Sequence, residues 1–318
     1  MTKLKIGILG SGSHAVTNII PILINSPEFD AVAIQTRTPD RAEELQKKFN
    51  IRCVTDEDLL LTNFGIDAVY ISSPNFVHHR QIKKAISLGK HILVEKSAFC
   101  NLEVARVAVR NATGKNLILH EAFMYRYHKQ FEILVKIIQE RTYGKLRFID
   151  IDFGIPHLRS NNIRYDKALG GGALNDVGAY TLSAVNFLLT APVLKYAKSI
   201  NESGLQVDTS GYAIFDSKNA IATCKWAFGL SYKNTIKIWT DDHLIEVERA
   251  FSKPESFNAP IRILKNGELK EEIHCGPHNH FKTMLSSFSR YIRTKETAVN
   301  LLTLKQAETL ERVRNYEC

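Results

Sequence analysis

The stretch that most constrains this chain is Gly10-Ser11-Gly12-Ser13-His14-Ala15, set directly after an apolar run from Leu4 to Leu9. The run reads as a buried strand, and a helical segment follows the glycines. That is the strand–turn–helix setting of a dinucleotide-binding turn. Gly10 permits the tight turn, Gly12 lets a pyrophosphate approach the backbone, and Ala15 is small enough for the helix to lie close on the strand. Free N–H groups and the positive end of the helix dipole favour a diphosphate at that point. Glycine turns also occur in proteins that bind no nucleotide. The place of this one, on the first strand, favours a nucleotide cofactor.

Strand and helix then alternate at short intervals. Phe29 to Thr36 reads as a strand. Thr38 can cap the next helix, with Pro39 at its first position. That helix carries Asp40, Glu43 and Glu44 early and Lys47 and Lys48 late, matching the helix dipole. Asp67 to Ser72 is a strand, Asn75 to Leu88 a helix closed by Gly89, and His91 to Val94 a strand. Leu102 to Thr113 is a helix ended by Gly114, and Asn116 to Leu119 a last short strand. The alternation predicts an α/β fold whose N-terminal domain, residues 1–122, is a doubly wound parallel sheet of Rossmann type. The pattern changes near residue 123. Phe131 to Glu140 reads as a helix and Lys145 to Phe153 as a long strand. Most segments from Val193 to Ile273 read as strands joined by short turns such as Asn266-Gly267. Helices return at His278 to Arg293 and Leu304 to Asn315. Residues 123–318 are thus expected to form an α+β substrate-binding domain with a mostly antiparallel open sheet, the last helix packing back on the first domain.

Composition narrows the class. The 318 residues are 44% hydrophobic and 24% charged, an ordinary globular balance with room for two domains. No apolar run approaches the roughly 20 residues of a membrane span. Met1-Thr2-Lys3-Leu4-Lys5 leads straight into the first strand, so no secretory signal is expected. Cys53, Cys100, Cys224, Cys275 and Cys318 are scattered and odd in number, which suits reduced thiols in a cytoplasm. The net charge of +9 is spread along the chain without a basic tract. That argues against nucleic acid as a partner and leaves a mild attraction for anionic ligands, such as a dinucleotide or a phosphorylated or nucleotide-linked sugar.

Cofactor choice is read where the second strand ends. NAD-preferring turns commonly have an acid there for the ribose hydroxyls. This chain has Gln35-Thr36-Arg37-Thr38 instead. Arg37 could stack on adenine and pair with a 2′-phosphate, and Thr36 could donate to it. NADP(H) is therefore favoured, with NAD(H) possible. The other strand ends supply Ser73, Pro74, Asn75 and His78 as further cofactor-side residues, then Glu95 and Lys96. A lysine beside a cofactor can donate to a carbonyl or alcohol oxygen while hydride moves, with Glu95 to orient it. The plain alternative is a surface ion pair of little consequence. In the second domain, Gly170-Gly171-Gly172 precede an apolar helix from Ala173 to Leu189 on which Asp176 and Tyr180 stand at i and i+4. The glycines would let a ligand come close, Tyr180 can pass a proton, and Asp176 can accept from substrate hydroxyls.

Taken together, these stretches resemble the glucose–fructose oxidoreductase / inositol dehydrogenase (Gfo/Idh/MocA) family. The segments GSGSHA, SSPN, HILVEKS, HEAFMYRYH and GGGALNDVGAY stand in that family's order and spacing. The likeness continues through Asp208-Thr209-Ser210-Gly211, the stretch Phe228 to Asn234, and Arg249-Ala250-Phe251. The resemblance implies an NAD(P)-dependent oxidoreductase that moves a hydride between nicotinamide and a secondary alcohol or ketone of a sugar, nucleotide-linked sugar or polyol. It implies that Lys96 is catalytic and that Asp176 and Tyr180 line the substrate site, with Tyr125 and Arg126 bordering it. It also implies a homo-oligomer, dimer or tetramer, built on the open sheet. One departure stands out. The family's Glu-Lys-Pro, whose last bond is often cis, is Glu95-Lys96-Ser97 here. A cis bond before a non-proline costs about 2.5–4 kcal/mol, which opens the way to a trans bond that would shift the lysine.

Two histidine pairs, His78-His79 and His278/His280, could suggest a metal. No acid or cysteine stands at ligand spacing with them, and no metal is expected. A catalytically silent nucleotide-binding sensor or scaffold, and an S-adenosylmethionine methyltransferase, are the rival readings. The intact Lys96, Asp176 and Tyr180 weigh against the first; the second-domain motif weighs against the second.

Overall fold

The computed structural model describes residues 2–202, 204–218 and 220–316, so Cys318, expected as a reduced thiol, lies outside the described residues. The chain divides into two compact units. The first comprises Met1–Ala122 with Phe281–Ala307, the second Phe123–His280 with Glu308–Cys318.

The first unit holds six parallel strands: β1 (Leu4–Leu9), β2 (Phe29–Gln35), β3 (Arg52–Val54), β4 (Ala68–Ile71), β5 (His91–Val94) and β6 (Leu119–Glu121). Their order is β3-β2-β1-β4-β5-β6, the doubly wound order, with its reversal between β1 and β4. Short apolar runs with both faces buried, such as Ala68–Ile71, fit a sheet covered by helices on each side. The helices are α1 (Ile20–Ile24), α2 (Pro39–Phe49), α3 (Glu57–Asn63), α4 (Asn75–Ser87) and α5 (Leu102–Gly114). Thr38 stands at the N-cap of α2, but its side chain makes no capping bond; Pro39 sets the start instead.

The last strand sits three residues later than its sequence suggests. Asn116 takes a left-handed conformation with φ 56° as the chain leaves α5, and Leu117 N–H returns to the Ala112 carbonyl. Only then can the chain extend. The outer edge of β6 is covered by side chains of this unit's C-terminal segment. Leu119 N–H donates to Asn300 Oδ1 at 2.8 Å, and Thr303 Oγ1 donates to Leu119 O at 3.2 Å. Phe288 from the same segment stacks on Phe29 at 6.2 Å.

The second unit is a mixed, mostly antiparallel eight-stranded sheet with helices on one face. After α6 (Lys129–Glu140) come β7 (Leu146–Ile155), α7 (Ala179–Leu188), β8 (Val193–Ile200), β9 (Ser210–Ser217), β10 (Ala220–Phe228), β11 (Lys233–Thr240), β12 (Leu244–Glu248), β13 (Pro260–Lys265) and β14 (Glu268–His274). The order is β14-β13-β12-β11-β7-β10-β9-β8, with β7 and β10 the parallel pair. Alternation of buried and open positions along β9 to β11 marks one covered and one open face. The Asn266-Gly267 turn has φ 53° and 83°, the left-handed pair that a two-residue hairpin requires. Helices α8 (His280–Thr294) and α9 (Asn300–Arg314) complete the chain. Among the described residues no helix is long and apolar enough to cross a membrane.

One buried cation marks the second unit. Lys253 donates to Ala250 O at 3.1 Å, and burial lowers its pKa to about 7. Nearby, His128 caps α6 by accepting from Gln130 N–H at 3.0 Å. Burial first, then Lys253, hold its pKa down at about 3. Between pH 7 and 10.5 the unfolded chain keeps a proton on Lys253 that the folded chain has shed. Stability therefore rises with pH across that window, by at most about 1.4 kcal/mol per pH unit from this group. Lys253→Met should flatten that rise and raise the melting temperature at pH 7. Urea unfolding of both proteins at pH 7 and pH 9 checks it; an unchanged pH slope in the variant refutes it.

Candidate active site

In the first unit, parallel strands bring their C-terminal ends to one edge of the sheet, and the expected cofactor residues gather there. Gly10 follows β1 with φ 91°, and a Cβ on it would stand 2.8 Å from Ser73 N. Only glycine fits at that crossing. Gly12 faces open space: the nearest atom to a Cβ there would be Ser72 O at 4.0 Å. The helix after the turn starts without a side-chain cap and winds as a π turn over Ala15–Ile19. Among the described residues no side chain takes up the N–H groups at its start. Ala15 is buried beneath the turn. Ser11 Oγ donates to Thr36 Oγ1 at 2.8 Å, tying the turn to the end of β2. Arg37 is exposed, and among the described residues its guanidinium has no partner. Arg41, on the first turn of α2, reaches Ser11 O at 3.5 Å and pairs with Glu44 at 2.6 Å. It stands 30 residues from the turn it touches, so spacing alone did not reveal it.

Three expectations change here. His78 is fully buried, so its part is to hold the loops and not to touch a cofactor. Its Nε2 lies 2.8 Å from Ser73 O and its Nδ1 3.0 Å from Ser97 O. Burial lowers its pKa despite the two carbonyls. Glu95 does not orient Lys96. Its carboxylate accepts from Tyr70 OH at 2.6 Å and lies 3.5 Å from His14 Nε2, because neighbouring residues at a strand end point opposite ways. Finally, the Lys96–Ser97 bond is cis, not trans. Ser97 is buried with its carbonyl on His78, and the next N–H, of Ala98, donates to Glu121 Oε1 at 2.9 Å. Lys96 itself is half-buried.

In the second unit the glycine run serves the protein, not a ligand. Gly170 ends a short turn with φ 77°. A Cβ on Gly171 would stand 2.5 Å from Arg164 O, and one on Gly172 would run into Asp208 Oδ1. Asp208 is the anchor of the helix start. Its Oδ2 accepts from Leu174 N–H at 2.7 Å and from Trp226 Nε1 at 3.1 Å, and its carbonyl accepts from Ala173 N–H at 2.8 Å. Burial raises its pKa against those donors. Side chains on Gly178 or Gly211 would meet the Trp226 indole, so the glycines of both motifs make its slot.

The helix winds as a π turn over Leu174–Gly178 before α7 begins. Asp176 stands in that turn, with Oδ2 2.6 Å from Arg164 Nε. The Arg164 guanidinium is held above its usual pKa, first by Asp176 and also by Tyr180, which places the three groups in one electrostatic neighbourhood. Tyr180 OH donates to Met124 Sδ at 3.4 Å, and its ring packs against Phe123, Phe153 and Phe251. Tyr125 is buried completely, its OH 2.6 Å from Ser183 Oγ. The substrate contact expected of it is replaced by a place in the core. Arg126 donates to the same hydroxyl at 2.7 Å between the rings of Phe123 and Phe187, at 4.5 and 4.3 Å. Among the described residues no cluster of histidine, cysteine, aspartate or glutamate could hold a metal.

Residues 4–123 match the oxidoreductase family model Gfo/Idh/MocA, NAD-binding Rossmann fold, and residues 131–246 match the Gfo/Idh/MocA C-terminal domain. The chain belongs to the Gfo/Idh/MocA family. It is 32% identical to a dTDP-3,4-didehydro-2,6-dideoxy-alpha-D-glucose 3-reductase of Saccharopolyspora spinosa, over 91% of this chain and 87% of that one. It is 28% identical to a D-xylose 1-dehydrogenase (NADP(+)) of Haloferax volcanii, over 92% and 90%. A crystal structure of a 3-ketoreductase from Actinomadura kijaniata with NADP and TDP-benzene superposes with a TM-score of 0.93 at 26% identity, covering 98% of this chain and 97% of that one.

Proposed function

We propose that this Gfo/Idh/MocA protein is an NADP(H)-dependent oxidoreductase acting on a secondary alcohol or ketone of a sugar, free or nucleotide-linked. The observation that carries the reading is the edge of the first sheet. An uncapped helix start and an open Gly12 lie there, Arg37 stands just beyond β2 where an acid would select NAD(H), and Arg41 reaches back from the first turn of α2. NADP in the Actinomadura reductase and in the name of the Haloferax dehydrogenase supports the same choice.

Gly10 to Ala15 would receive the diphosphate, with Ser73, Pro74 and Asn75 beside it. Thr36, Arg37 and Arg41 would flank the adenosine phosphate. When bound, the nicotinamide supplies or accepts the hydride. This chain's residues move the proton at the reacting oxygen. Lys96 is the main donor or acceptor, Tyr180 shares the oxygen or relays the proton, and Asp176, held by Arg164, orients a neighbouring hydroxyl. The scattered thiols support a cytoplasmic location.

A second copy of this chain is the partner proposed for the open sheet face. Ile221, Phe148 and Trp239 stand opposite one another across β10, β7 and β11, all exposed, Trp239 at 63%. The flanking pairs Lys225–Asp150 and Lys237–Glu246 carry both signs, which suits a self-complementary contact.

Three outcomes test these readings. Arg37→Ala should weaken NADPH binding roughly 10- to 100-fold and leave NADH unchanged, as loss of a charge-assisted phosphate contact would. Equal losses in a fluorescence titration would leave adenine stacking as the arginine's only part. Lys96→Met should lower turnover by about 10²–10⁴ while NADPH still binds, and Tyr180→Phe should lower it as much or less. Near-normal turnover of Lys96→Met on a verified sugar substrate sinks the assignment. Trp239→Glu should reduce the mass seen by light scattering to that of a monomer with unchanged circular dichroism; a wild-type monomer disproves the interface.

A further inference from the structure

Arg164 is built into its place from four sides. Its N–H donates to Asn162 Oδ1 at 3.0 Å, and its carbonyl accepts from Gly172 N–H at 2.8 Å. That same carbonyl occupies the space a side chain on Gly171 would need. Its Nε donates to Asp176 Oδ2 at 2.6 Å. The side chain is nevertheless 42% exposed, and among the described residues its two terminal nitrogens, Nη1 and Nη2, have no hydrogen-bond partner.

The contact with Asp176 is single. A guanidinium that served only as a counter-ion would commit Nε and one Nη together to the two carboxylate oxygens, the bidentate fork that arginine favours. Here only Nε is engaged. The result is a cation fixed by its base, with a planar pair of donors left open in the neighbourhood of Asp176 and Tyr180. Such a pair matches the oxygens of a phosphate. A neutral monosaccharide offers it no anion.

We propose that Arg164 is a specificity-determining residue that binds the diphosphate of a nucleotide-linked sugar, so that the substrate carries a nucleoside diphosphate and is not a free sugar. This rests on the sugar-oxidoreductase reading above and narrows it, because the relatives include enzymes of both kinds, a dTDP-sugar reductase and a xylose dehydrogenase. Asp176 fixes the arginine, and the arginine fixes the substrate's charged end. The sugar is thereby set beside Tyr180.

The test is equilibrium binding by calorimetry to the full chain saturated with NADPH. The probes are thymidine diphosphate, uridine diphosphate, thymidine and glucuronate. Wild type should bind both diphosphates at least tenfold more tightly than thymidine. Arg164→Gln should lose roughly 10- to 100-fold for the diphosphates and nothing for thymidine, with Arg164→Lys between. Unchanged NADPH fluorescence titration in each variant shows that the protein is folded. The proposal is overturned if wild type has no preference for the diphosphates, if Arg164→Gln binds them as wild type does, or if the arginine matters for glucuronate instead. Diphosphate binding through Arg164 without any NADPH-dependent turnover would remove the oxidoreductase reading and leave this one. Turnover of free sugars without diphosphate binding would do the reverse.

Discussion

The parallel pairing of β1 with β4 is the constraint from which the first unit's chemistry follows. Two parallel neighbours must open at the same edge, and each must leave by its own turn. Gly10 and Ser73 are the residues that meet there, close enough that no Cβ can stand on Gly10. Once that crossing is fixed, the next helix has to begin beside it, pointing its free N–H groups into the same space. β5, pairing with β4, adds Glu95 and Lys96 to the edge. His78 then joins the β4 loop to the backbone after Lys96 through one buried ring. The lysine's backbone is thus tied to the cofactor turn by hydrogen bonds and not by proximity alone.

The second unit solves a similar problem by another route. Its helix start is tied to Asp208 from a distant loop, and its glycines are spent on protein contacts. Trp226 fills the slot that Gly178 and Gly211 leave. Both helices that follow a glycine turn begin with a π turn, Ala15–Ile19 and Leu174–Gly178, and both carry proposed site residues in or beside it. A π turn widens the winding by about one residue, which lets one side chain be re-aimed without interrupting the helix.

Much of this was legible in the chain itself, because it depends on local rules. Periodicity and turn residues located β1, β2, β4 and β5 to within a residue or two; the three-residue β3 (Arg52–Val54) went unread, and β6 was read too early. The offset of β6 came from the left-handed Asn116, whose conformation depends on how α5 unwinds. The glycine turn, Lys96, Asp176 and Tyr180 were visible because their residue types are unusual for their positions. Side-chain direction was not visible. Tyr125 and His78 look like site residues in sequence yet point into the core, and Glu95 turns to Tyr70 and His14 instead of to Lys96. Arg41 and Arg164, and the contact that Asp208 makes, escaped for a related reason: their partners stand 30, 12 and 34 residues away. Nothing in their own neighbourhoods announces the contact.

The edge of β6 has a consequence for how the chain is made. Its exposed backbone groups at Leu119 are satisfied by Asn300 and Thr303, about 180 residues later. A sheet begun at Leu4 is therefore finished only when the ribosome has delivered Asn300 and Thr303. Until then the first unit carries an open strand edge, the feature most prone to pair with a stranger. Most of the second unit, Phe123–His280, is synthesised inside that interval, as an insertion in a fold that is still waiting for its last piece. A gene fragment ending at residue 122 would carry the complete nucleotide-binding signature and lack the side chains that close its sheet.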